Sequence, residues 1–163
     1  MQIAVMGAGS WGSALAMQLA RAGNHVRLWD HRSDRAETMQ RDRENARYLP
    51  GLRFQDTVTI TGNLEFALHN ASLVVVAIPS QSIRAAMRGA LPLLPQGVVL
   101  CCASKGIEQG SLMTMEEVFH DVIPDALEAH MCFLAGPSFA KEVAHDLSRT
   151  GLGDAVRTLG WSE

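Results

Sequence analysis

Gly7, Gly9 and Gly12 stand in the order G-x-G-x-x-G inside the stretch "GAGSWGSALA". In that spacing the first glycine permits a tight turn, the second lets backbone approach a pyrophosphate, and the third allows a helix to pack closely on the preceding strand. Phosphate oxygens would then meet the free N–H groups and the positive dipole end of that helix. A glycine triplet alone often marks nothing but a turn, so its flanks decide. An apolar run at 2–6 precedes it and a helical pattern follows. With both in place, the motif reads as the cradle for a dinucleotide pyrophosphate.

Three further clusters could do chemistry. Asp30 ends the run "VRLWD", 18 positions beyond Gly12, where a carboxylate can accept hydrogen bonds from the adenosine ribose and repel a 2′-phosphate. His31 and Arg32 follow at once and could bind that phosphate instead, so the choice between NAD and NADP stays open. Lys105 in "ASKGIE" follows the apolar run 98–102. Ligands of open α/β sheets lie beyond the carboxyl ends of strands, where a lysine can pair with a phosphate or polarise a carbonyl. Position alone leaves Lys105 divided between that role and a solvated loop. In "AGPSFAKEVA", Gly136 and Pro137 make a strand-to-helix turn and Ser138 has the chemistry of an N-cap. Lys141 then falls inside a short helix, facing solvent.

These residues need a scaffold that alternates strands and helices. Apolar runs at 2–6, 25–29, 57–61, 73–78, 98–102 and 131–134 predict strands. "LVVVAI" and "GVVLCC" do not alternate apolar with polar, which suits central strands covered on both faces. Helical patterns occupy 11–22, 34–44, 63–69, 81–94 and 112–122, the fourth ending before Pro92. The fold class is therefore α/β, a doubly wound, mostly parallel Rossmann sheet with helices on both faces.

Composition agrees. The chain has 163 residues, 47% hydrophobic and 19% charged, enough for one ordinary core. A net charge of −3 gives no general reason to bind nucleic acid or an anionic membrane. No apolar run is long enough to span a bilayer, so membrane insertion is not expected and a cytoplasmic location is. Cys101, Cys102 and Cys132 lie in apolar runs and read as reduced core thiols, with Cys101 and Cys102 on opposite faces of a strand. No metal site is expected.

Taken together, "GAGSWGSALA", "NARYLPG" at 45–51, "AIPS" at 77–80, "SKGIE" at 104–108 and "GPSFAKEVA" at 136–144 resemble the bacterial soluble type of NAD(P)-dependent glycerol-3-phosphate dehydrogenase. The resemblance implies reduction of dihydroxyacetone phosphate to sn-glycerol 3-phosphate for glycerophospholipid synthesis, with NAD or NADP as cofactor. It implies cofactor contacts at Ser10, Trp11, His31, Arg32, Pro79 and Ala140. Lys105 would touch both cofactor and substrate and take part in catalysis, and Gly136 and Ser138 would bind substrate. Asp30 falls where the family varies.

The resemblance covers residues 1–144, expected to form the cofactor-binding domain. Residues 145–163 read as an atypical tail where the family continues into a helical substrate domain that carries the proton-transferring lysine. Neither Lys105 nor Lys141 matches that lysine. The expectation is a truncated dehydrogenase with negligible turnover alone, since losing a general acid costs about 10²–10⁴ in rate. An exposed interdomain surface would invite self-association. Two other functions fit less of the pattern: a non-catalytic module that binds or senses a dinucleotide, and a two-domain dehydrogenase for a hydroxy acid or sugar nucleotide.

Overall fold

The computed structural model describes residues 1–125, 130–134, 136 and 139–145. Six strands form one sheet: β1 (Gln2–Met6), β2 (His25–Trp29), β3 (Val58–Thr61), β4 (Leu73–Val76), β5 (Val99–Cys102) and β6 (Met131–Phe133). Their order is β3-β2-β1-β4-β5-β6, and every pairing between them is parallel. The helices among the described residues are α1 (Ser10–Arg21), α2 (Ser33–Asp42), α3 (Leu64–Leu68), α4 (Ser80–Ala90), α5 (Met115–Val122) and α6 (Ala140–His145). This is the doubly wound arrangement the sequence predicts. Strand order reverses between β1 and β4, and the crevice beyond their carboxyl ends is where such sheets hold ligands.

Alternation along β1 divides the core. Ile3 and Val5 pack with Met17 of α1, Met39 of α2 and Val143 of α6, while Ala4 and Met6 pack with Leu68 of α3, Met87 of α4 and Phe119 of α5. The central strands β1, β4 and β5 thus bury both faces, which is why β4 and β5 read as unbroken apolar runs. Two side chains of α1 reach the last turn of α6. Arg21 Nη1 donates to the Ala144 carbonyl at 2.7 Å, and Gln18 Nε2 donates to the Val143 carbonyl. A cation at a helix C-terminus is favoured by the dipole.

Several ends differ from expectation for local reasons. α2 stops at Asp42 because Arg43 turns left-handed (φ 55°) and its carbonyl accepts from the Phe54 N–H. α5 begins at Met115, not at 112: Leu112 has φ 60°, and Thr114 forms a capping box with Glu117. α4 ends at Ala90, and residues Leu91–Leu93 add a 3₁₀ turn that takes Pro92 in its first positions. β4 ends at Val76, two residues short of the expected 78, where the chain turns into Ala77 and Ile78 at the crevice. The role expected of Ser138, and the tail beyond His145, lie outside the described residues.

Candidate functional site

The glycine turn is built as its spacing requires. Gly7 has φ 111°, and a Cβ there would lie 2.5 Å from the Ala77 carbonyl oxygen; one on Gly12 would overlap the Gly7 carbonyl. Gly9 is different. It is the N-cap of α1 with extended backbone, no side chain caps the helix, and a Cβ on it would meet nothing within 4 Å. The first turn of α1 also carries no acidic residue. Free N–H groups therefore face open space at a positive helix end, a fit for an anion such as a pyrophosphate.

That space is a cavity of about 440 Å³. Its walls are Gly9, Ser10 and Trp11 of the glycine turn, residues 77–79 after β4, residues 103–105 after β5, and Phe139 and Ala140 at the start of α6. It thus spans the switch point between β1 and β4. Of the residues expected to meet a cofactor, Gly9, Ser10, Trp11, Pro79, Lys105 and Ala140 line it. Gly7 and Gly12 shape the turn from behind.

Lys105 stands at the centre of this arrangement. Its Nζ lies 5.7 Å from the centre of the Trp11 ring and donates to the Gly136 carbonyl. Trp11 in turn donates from Nε1 to the Ala103 carbonyl at 2.9 Å. The glycine turn, the exit of β5 and the exit of β6 are tied together by these contacts. Gly136, with φ 138°, is exposed beside them.

Asp30, His31 and Arg32 sit at the end of β2 but face different ways. Asp30 is fully buried, and its carboxylate accepts from Arg35 Nε at 2.6 Å and from the Arg32 N–H at 3.0 Å. His31 and Arg32 project outward, with side chains 70% and 52% exposed. Arg32 Nη2 pairs with Asp34 at 2.9 Å. Any ribose contact by Asp30 must compete with donors of its own chain.

A shell of supporting residues was not singled out from the sequence. Asn45, 1% exposed, donates to the Ala8 carbonyl at 2.9 Å and to Ser13 Oγ at 2.8 Å, bracing the glycine turn. Ser104 Oγ donates to the Ile78 carbonyl at 2.7 Å and accepts from the Ile78 N–H at 3.1 Å, fixing the turn after β4. From α4, Gln81 bonds the Ile107 carbonyl and the Gln109 N–H, each at 2.8 Å, and Arg84 grips Glu108. These contacts tie "NARYLPG" to the glycine turn and "AIPS" to "SKGIE". Their signal in sequence was the motifs themselves, whose contacts with one another join residues as far apart as Trp11 and Lys105.

The model of the NAD-dependent glycerol-3-phosphate dehydrogenase N-terminus matches residues 2–151. The chain belongs to this family. The glycerol-3-phosphate dehydrogenase [NAD(P)+] of Chlorobium luteolum is 45% identical over 150 residues, covering 92% of this chain and 45% of its own length. That of Carboxydothermus hydrogenoformans is 39% identical over 161 residues, covering 99% of this chain and 46% of its own. The crystal structure of the glycerol-3-phosphate dehydrogenase of Coxiella burnetii matches with a TM-score of 0.79 at 34% identity, over 88% of this chain and 43% of that one. The chain thus spans about half the length of the curated relatives it matches. The family is NAD(P)-dependent, and the matched half is its NAD-binding N-terminus, in agreement with the cavity at the end of α1. Among the described residues no three metal-ligating side chains converge, and no helix is long and apolar enough to cross a membrane.

Proposed function

We propose that this chain is the cofactor-binding half of a cytoplasmic glycerol-3-phosphate dehydrogenase, which reduces dihydroxyacetone phosphate to sn-glycerol 3-phosphate with NADH or NADPH. The observation that carries the proposal is the cavity at the β1/β4 switch point, with the uncapped N-terminus of α1 at one side and Lys105 at the other. In this reading residues 1–144 form the cofactor domain, and 145–163 a segment of different character. The family match, which runs on to residue 151, carries the family pattern past Ala144.

A bound nicotinamide dinucleotide supplies the hydride. The chain's residues hold and orient it: α1 N–H groups bind the pyrophosphate, His31 and Arg32 meet the adenosine ribose or its 2′-phosphate, and Pro79 and Ala140 wall the nicotinamide side. Lys105 Nζ, placed between the Trp11 ring and the Gly136 carbonyl, offers a positive charge to the substrate phosphate or to the developing alkoxide. Gly136 and Ser138 complete the substrate side. Because neither Lys105 nor Lys141 occupies the place of the family's proton-transferring lysine, residues 1–163 alone are expected to bind cofactor with negligible turnover. Phe139 is 70% exposed at the cavity wall, apolar surface that suits packing against the family's substrate half or self-association.

Titration with NADH and with NADPH, followed by nicotinamide fluorescence, tests the assignment. Saturable binding that disappears in Gly9→Asp supports it, because that substitution places a carboxylate at the helix end where the pyrophosphate would lie, with open space around its Cβ. Absence of saturable binding by the unmodified chain overturns it.

A further inference from the structure

β5 and β6 place two of the three cysteines side by side. Cys101 is the register partner of Cys132 on the neighbouring parallel strand, so both side chains leave the same face of the sheet. Neighbouring strands lie about 4.8 Å apart, inside the Cα separation of about 4.4–6.8 Å that disulfides span. Cys102 is excluded by the pleat. It points into the opposite core, and its register partner is Phe133.

The two thiols are also chemically unequal. Cys101 is buried, whereas Cys132 is half-buried on the outermost strand of the described sheet. The hydrogen bond from Cys101 holds Cys132 down to about 7, while that bond and burial push Cys101 far up. An accessible thiolate beside a second thiol is the usual form of a reversibly oxidised pair.

We propose that Cys101 and Cys132 form a peroxide-reactive dithiol site, closing to a disulfide beneath the cofactor cavity. The Cys132 thiolate attacks a hydroperoxide oxygen: an S–O bond forms, the O–O bond breaks, and the departing oxide takes up a proton. Cys132, oxidised by two electrons, is then a sulfenic acid and the peroxide is reduced. Cys101 sulfur attacks it, an S–S bond replaces the S–O bond, and the Cys101 proton leaves with hydroxide as water. For hydrogen peroxide, two thiols and one peroxide give one disulfide and two waters. The bridge would fix the spacing of the two segments that carry Lys105 and Gly136, which follow these cysteines on β5 and β6.

Hydrogen peroxide treatment of the reduced chain, then alkylation and intact-mass and non-reducing tryptic analysis, tests the site. Alkylatable thiols should fall from three to one. The peptide ending at Lys105 should be linked to the peptide ending at Lys141, reversibly with dithiothreitol. Cys102→Ser should form the same link, and Cys101→Ser and Cys132→Ser should not. Any of four results overturns the proposal: three thiols still alkylatable, Cys132 halted at sulfinic acid beside an alkylatable Cys101, a link that persists in Cys101→Ser, or a bridge only between two chains.

Discussion

Arg84 grips Glu108 with two nitrogens, Nε on one carboxylate oxygen and Nη2 on the other, each at 2.9 Å. The pair joins α4 to the segment that follows Lys105, and Ser111 Oγ adds a bond to the same carboxylate at 2.6 Å. Planar two-point pairing fixes orientation as well as distance. Glu108→Gln removes the charge and one acceptor. Amide exchange at residues 104–109 should quicken and NADH binding weaken, with little change in the exchange of β1 and β4. Exchange-detected mass spectrometry checks this, and unchanged protection of the loop would remove Glu108 from the site's support.

The same pair sets an acid limit. The hydrogen bonds from Arg84, then from Ser111, hold the Glu108 carboxyl below the usual glutamate range. A lowered folded-state value means the contribution is complete above the unfolded value, about 4.3, and is lost as pH falls through the folded one. Loop protection should therefore be level from neutral pH down to about 5 and decline in more acid solution. Glu108→Gln should show no such decline, and an equal acid response in both would assign it to other carboxylates.

Asn45 works from inside. Its amide satisfies the Ala8 carbonyl and Ser13 Oγ in a site closed to water. Asn45→Leu leaves those acceptors buried and unpaired, at a cost of about 1–3 kcal/mol. Denaturant unfolding should report that loss. A larger fractional loss of NADH affinity should accompany it, since the turn itself is loosened. A stability loss with unchanged affinity would confine Asn45 to the core.

Gly12 and Gly9 should fail in opposite ways. Gly12→Ala drives a Cβ into the Gly7 carbonyl and must displace α1 or β1, so the melting temperature should fall with cofactor binding. A Cβ on Gly9 meets no protein atom within 4 Å, so Gly9→Asp should melt near the parent while binding no dinucleotide. Parallel loss of stability in both variants would mean that Gly9 is structural.

The central strands were legible because β1, β4 and β5 are buried on both faces and so appear as apolar runs; all six strands lie within two residues of expectation. The start of α5 could have been found from Thr114 and Glu117, the spacing of a capping box. Asp30 shows the limit of such reading. Its place after β2 pointed to a ribose, but its partner Arg35 is the third residue of α2, and only the path of the chain brings the two together. Ser104, Gln81 and Arg84 were silent for the same reason. Their partners are 24 to 37 residues away, beyond the reach of any local pattern.

The burial of Asp30 bears on cofactor choice. With its carboxylate held by Arg35, the cation presented at the end of β2 is Arg32, which is shared with Asp34. A hydrogen bond to a charged group contributes about 1.5–3 kcal/mol, so Arg32→Ala should weaken NADPH binding by about tenfold or more and NADH binding little. Asp34→Ala, which frees Arg32, should act the other way and favour NADPH. Parallel titrations with the two cofactors separate the cases. Equal losses would mean that Arg32 meets a part common to both, and no change in either would leave it bound only to Asp34.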